Sequence, residues 1–143
     1  MGFLSGMDIS ASALTAQRLR MDVIAENIAN ADTTRTEDGG PYRRKYVVFG
    51  EQGNTFSDII KGRTNDVVGG VKVLEIGEDD TDFKLVYDPK HPDANEEGYV
   101  EYPNVDTLQE MVDMISAYRS YEANVTAFNA YKEMAVKALE IGE

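Results

Sequence analysis

The stretch Asp106–Ile141, DTLQEMVDMISAYRSYEANVTAFNAYKEMAVKALEI, holds neither glycine nor proline and is rich in strong helix formers. Alternating steps of four and three from Thr107 pick out Met111, Met114, Tyr118, Tyr121, Val125, Phe128, Lys132, Ala135 and Leu139. Only Thr107 and Lys132 in that series are not apolar, which is the seam of a coiled coil rather than the broad face of a globular helix. At about 1.5 Å per residue the stretch makes a rod of roughly 54 Å. That is longer than a small globule is wide, so part of the seam is expected to find its partner outside its own domain. A long helix packed wholly within its domain is the plainer alternative.

A second seam lies at the other end of the chain. The sequence reads as helix from about Ser5 to Asn30, with Ser5 and Asp8 spaced as a capping box. Leu4, Met7, Ala11, Leu14, Arg18, Met21, Ala25 and Ile28 follow the same four-three rhythm, with Arg18 the one polar member. Two seams at opposite ends of one chain predict an antiparallel coiled-coil pair of terminal helices. Both helices packing on one sheet, as in an ordinary α+β domain, is the alternative.

The middle of the chain is different. Asn27 to Thr34 is crowded with Asn, Asp and Thr, which bond locally to backbone and end helices. Gly39-Gly40-Pro41 makes a turn into the basic cluster Arg43-Arg44-Lys45, and Tyr46–Phe49 reads as a strand. Residues 50–66 read as loop. Val71–Ile76 and Phe83–Tyr87 read as a hairpin around the acidic turn 77–82, and Gly98–Tyr102 completes a small sheet. Asp106, with Gln109 three residues on, is placed to cap the long helix. The expected fold is α+β: terminal helices (1–32 and 104–143) around an inserted antiparallel β domain (33–103).

Charge and composition restrict function. The net charge is −12, and the span from Glu75 to Asp106 holds eleven acidic residues against Lys84 and Lys90. Such a chain is unsuited to nucleic acid or anionic membrane, and the three contiguous cations at 43–45 suit a strand edge or a neighbour's acidic surface. There is no cysteine, so thiol chemistry is absent. His91, the lone histidine, sits between Pro89 and Pro92 without the companions a zinc or nucleophile–base site needs. Gly69-Gly70 lacks the spacing of a phosphate loop. No enzyme, cofactor or metal is expected. Carboxylates at 78–82 raise the alternative of a calcium- or wall-binding module, but they lack the mid-loop glycine and distal glutamate of an EF-hand. No run approaches transmembrane length, and residues 1–8 lack the pattern of a cleaved signal.

Two motifs add a resemblance. Leu19–Tyr46, with Asn27-Ile28-Ala29-Asn30-Ala31-Asp32-Thr33-Thr34 and Gly39-Gly40-Pro41-Tyr42-Arg43-Arg44-Lys45, resembles the amino-terminal motif of bacterial flagellar rod and hook axial proteins. Asp88–Asp106, running into Met111–Ile115 and Tyr121–Asn124, is similar to a stretch particular to one rod subunit type of that family. Asp32 and Glu37 depart from the pattern, where Asn and Pro are usual; both suit a turn. The resemblance implies a structural subunit of the proximal rod in the flagellar basal body, with another flagellar rod subunit as the nearer alternative. Its terminal helices would line a hollow, torque-transmitting helical tube spanning the periplasm. Export would follow the flagellar type III route without a cleaved signal. Partners would be copies of itself, other rod subunits, the rod adaptor and the export apparatus. The implied interface residues are Leu4, Met7, Ala11, Leu14, Met21, Ala25, Asn27, Ile28 and Asn30, with Met111, Met114, Tyr118, Tyr121, Val125, Phe128, Ala135 and Leu139.

Overall fold

A computed structural model describes residues 3–37, 39–53 and 69–140. Helix α1 (Phe3–Ala29) is followed by strands β1 (Lys45–Glu51), β2 (Val71–Glu78), β3 (Lys84–Tyr87) and β4 (Tyr99–Tyr102), and helix α2 (Thr107–Glu140) closes the chain. The class is α+β, with the terminal helices paired and small antiparallel sheets between them in sequence.

Asp106 starts α2 as its side chain dictates. Its Oδ1 accepts the backbone N–H of Leu108 at 3.0 Å, and its own carbonyl accepts that of Glu110 at 2.9 Å. This satisfies donors that the first turn leaves orphaned. Gln109 does not complete a capping box; its amide lies 3.4 Å from Asp113 Oδ2 instead. At the other end the expectation for Ser5 fails. Helix α1 already begins at Phe3, so Ser5 is a buried residue inside the first turns rather than a cap.

The helices run antiparallel. A Cβ on Gly6 would meet the Tyr131 ring at 2.6 Å, Arg20 reaches Asp113 at 3.5 Å, and Asn27 bonds Glu110 at 3.0 Å. Gly6 thus lets the Tyr131 ring lie directly on the α1 backbone. Among the described residues, Ala16, Val23 and Ile24 of α1 and Ala117 of α2 are the buried apolar residues of the two helices. Small residues bring the two axes together.

Strand pairing departs from the sequence reading. β2 does not form a hairpin with β3. It pairs with β1, through a bulge after Val48, while β3 pairs with β4, giving two separate two-stranded sheets. The cause lies just past β2. The Asp79 N–H donates to the Arg44 carbonyl at 2.8 Å, and the Asp79 carbonyl accepts from the Asn104 amide at 2.9 Å and Arg43 Nη1 at 3.0 Å. The chain at 79–82 is therefore tied to the starts of β1 and α2 and becomes a link between sheets. The β1–β2 sheet is fastened to α1 where Ser12 Oγ accepts the Val71 N–H at 3.0 Å. The inner face of β3–β4 buries Val100, and Lys84 Nζ crosses to the Val105 carbonyl at 2.6 Å.

Replacing Asp106 with Ala should cost about 1 kcal/mol by urea unfolding, the usual worth of an N-cap. An unchanged midpoint would show that the cap contributes nothing to holding α2.

Candidate functional site: a helix pair clasped to the sheets

The last turns of α1, the start of β1 and the first turn of α2 meet at one side chain. Asn27 is fully buried, and all four of its hydrogen-bonding positions are used. Its Oδ1 accepts the Lys45 N–H at 2.9 Å and the Tyr42 hydroxyl at 3.0 Å, while its Nδ2 donates to the Lys45 carbonyl at 2.8 Å and to Glu110 Oε2 at 3.0 Å. The amide thus pairs with Lys45 as a neighbouring strand would, extending β1 onto a helix.

Glu110 is fully buried as well. Its other oxygen accepts Arg44 Nε at 2.7 Å, and the same guanidinium lies 3.6 Å from Asp79 Oδ2 and 4.0 Å from Asp113 Oδ2. A carboxylate removed from water is tolerable only when paired and hydrogen-bonded, and Arg44 with Asn27 meets both conditions. Asn104 adds the remaining strand of the knot, its Oδ1 accepting the Arg44 N–H at 2.8 Å and its Nδ2 donating to Thr81 Oγ1 at 2.9 Å.

The electrostatics follow. Burial, reinforced by the carboxylates of Glu26, Glu110 and Glu78, pushes the Tyr42 phenol up to about 12. The Thr81 backbone N–H, then its hydroxyl, then Arg44 and Arg43 hold the Asp79 carboxyl below its ordinary value. The basic cluster is therefore spent inside the chain: Arg43 stacks 4.5 Å over Phe83 and Lys45 pairs with Glu26 at 2.6 Å. The Asp79 carboxylate of the acidic turn is likewise engaged internally, and among the described residues no cluster of three or more His, Asp or Glu is arranged for a metal ion.

The expected interface residues distribute unevenly. On α2, Met114, Tyr121, Val125, Phe128 and Ala135 are half-buried, whereas Met111, Tyr118 and Leu139 are exposed. The inward face is rotated from the expected seam, for Glu110 and Ala117 are buried where Met111 and Tyr118 stand open. On α1, Met7, Leu14, Met21 and Ile28 are half-buried and Ala11 and Ala25 are exposed. The Leu4 side chain lies outside the described residues. Asn30 caps the end of α1, donating to the Glu26 carbonyl at 2.9 Å and accepting the Thr33 hydroxyl at 3.2 Å. Asn27, expected among the interface residues, lies at the buried hub of the clasp, with its polar atoms all satisfied within the chain.

On the outside of α2, the expected Met111 and Tyr118 are joined by three residues not singled out from sequence. Leu108, Met111, Val112, Ile115 and Tyr118 form one apolar stripe, with Leu108 73% and Ile115 61% exposed. Helical spacing read from Leu108 rather than Thr107 would have found it. No described helix is long and apolar enough to cross a membrane.

Residues 7–35 match the family described as "Flagella basal body rod protein", and residues 96–141 match "Flagellar basal body rod FlgEFG protein C-terminal". The chain is 57% identical to the flagellar basal-body rod protein FlgC of Bacillus subtilis, over 96% of each chain. It is 48% identical to that of Borreliella burgdorferi, over 99% of this chain and 98% of the relative. Identity to the Aquifex aeolicus protein is 41%, over 98% and 97%.

Two perturbations test the clasp. Asn27→Ala strands the Lys45 peptide, the Tyr42 hydroxyl and part of Glu110, and should cost about 3 kcal/mol in urea unfolding; a loss below about 1 kcal/mol would contradict the hub. Because the Tyr42 pKa is raised when folded, the stability it contributes is complete below its ordinary 10.0 and is lost as pH rises toward about 12. Tyr42→Phe should flatten that part of the stability–pH curve, and an unaltered slope would show that Tyr42 is not the titrating group.

Proposed function

The chain belongs to the FlgC family of flagellar basal-body rod proteins, and from that premise we propose how it builds the rod. The protein is a structural subunit of the basal-body rod. It acts as a building block and not as an enzyme. Subunits stack through their terminal helices into a hollow helical tube that transmits torque across the periplasm. They reach it by the flagellar export route. Copies of the same chain, other rod subunits, the rod adaptor and the export apparatus are the partners.

The observation that carries this reading is the apolar stripe on the outer face of α2, which the chain leaves open to solvent. Contiguous exposed apolar surface of this kind marks an interaction site. An open helical array needs two different complementary surfaces on each subunit. The α2 stripe supplies one. The line of Ala11, Arg18 and Ala25 along the exposed side of α1 supplies a second surface, two small residues around one cation, against which a neighbouring helix packs. Met111 and Tyr118 belong to the first surface, and exposed Leu139 adds to it further along α2. Met7, Leu14, Met21 and Ile28, with Met114, Tyr121, Val125, Phe128 and Ala135, are shared between the internal helix pair and the neighbours. In this division of labour residues 1–32 and 104–143 form the axial part and 33–103 the outer part.

Ile115→Asp and Tyr118→Asp should each leave the purified monomer within about 0.5 kcal/mol of the parent, as surface substitutions do. In flagellated cells either change should abolish incorporation into isolated basal bodies and spreading in soft agar. Full motility with both variants would refute the role of the stripe.

A further inference from the structure

Strand β3 is exposed along its whole length, an unusual state for a strand carrying Leu85, Val86 and Tyr87. The β3–β4 register places Leu85 opposite Glu101 and Tyr87 opposite Tyr99, so these four side chains share the outer face of the sheet. The alternate pair Val86 and Val100 faces the other way, toward the start of α2. The outer face is thus an apolar and aromatic surface, with Leu85 63% and Tyr87 64% exposed.

The aromatic part is held in place. The rings of Tyr87 and Tyr99 meet edge to face with centroids 5.3 Å apart. Gly98, at φ +83°, passes beneath Tyr87; a Cβ there would lie 3.0 Å from the ring and 3.2 Å from Pro89. Tyr87 is therefore ordered before any partner arrives, which removes much of the entropic cost of using it as an anchor. Exposed, pre-ordered tyrosines of this kind serve recognition rather than stability.

Charge selects the partner. Glu101 lies in the face itself, exposed Glu96 and Glu97 precede β4, and Asp82 and Asp88 flank β3. The nearby cations are largely spoken for: Lys84 reaches the Val105 carbonyl on the far side, Arg35 pairs with Asp93 at 3.0 Å, and Arg43 stacks 4.5 Å over Phe83 and lies 3.8 Å from Asp80, leaving Lys90. Copy-on-copy contact through this face would set like charges against each other. We propose that the outer face of the β3–β4 sheet docks a basic segment of a different polypeptide, whose Arg or Lys side chains engage Glu101 and the faces of Tyr87 and Tyr99. This rests on the rod-assembly reading only in placing that polypeptide beside the chain in the rod.

The test uses the full chain in flagellated cells, with the photo-crosslinking residue p-benzoylphenylalanine at position 85 or, separately, at position 115 of the α2 stripe. After irradiation, basal bodies are isolated and the adducts sequenced by mass spectrometry. The expected adduct at 85 joins a different polypeptide at a segment rich in Arg or Lys. Glu101→Lys should lower the yield at 85 by roughly tenfold, a single close like-charge contact, without changing the yield at 115. An adduct at 85 to a second copy of the chain or to an acidic segment overturns the proposal. So does an adduct at 115 with none at 85, which leaves the helix reading intact. Absence of adducts at both positions defeats the two together.

Discussion

The hydrogen bond between Asn27 and Glu110 joins residues 83 apart in sequence, and most of the architecture depends on it. It fixes the end of one helix against the start of the other. Through the same amide and the same carboxylate it also fixes β1, by Lys45 and Arg44. A buried carboxylate cannot stand alone, so Glu110 demands Arg44, and Arg44 in turn draws the Asp79 turn and Asn104 to the same point. The result is that helices and sheets, which bury few large apolar residues between them, are fastened by polar contacts. The coupling between the helix pair and the sheets therefore runs through directional bonds rather than through an apolar contact alone.

The polar knot also explains the distribution of apolar side chains. Helix packing near the clasp uses Ala16, Ala117 and the polar pair Asn27–Glu110, so several large residues in the first turns of α2 are not needed inside. They stand outside instead, as the stripe from Leu108 to Tyr118. A chain that filled its own helix interface with those side chains would fold more tightly and have less to offer a neighbour. The same economy appears at β3, where Leu85 and Tyr87 are left open beside a ring of carboxylates.

The helices were legible because breakers are absent from Asp106–Ile141, the seams are periodic and Asp106 is a good cap. Their antiparallel pairing followed from matching seams at the two ends. The packed face was not legible. Hydrophobicity favoured Met111 and Tyr118 as inward residues, whereas Glu110 and Ala117 face in, because a charge with a bespoke partner can displace an apolar residue and nothing local in sequence marks it. Strand pairing failed for a similar reason. The segments 71–76 and 83–87 have the composition of a hairpin, but the Asp79 peptide is held by Arg44 and Asn104, and those long-range bonds decide the register. Asn27 illustrates both sides: its place in a recognisable motif was plain, while its burial required the three-dimensional meeting of Tyr42, Lys45 and Glu110.

The most direct test of the account is amide hydrogen exchange on the purified monomer at neutral pH, resolved by residue. If the clasp is the point on which the fold hangs, the amides of residues 24–29, 45–48 and 110–117 exchange with one common opening free energy, the highest in the molecule. Protection along α2 then declines steadily toward residue 140. If instead β1 and β2 remain protected while residues 24–29 and 110–117 exchange freely, the helices and sheets are independent and the clasp does not hold them together.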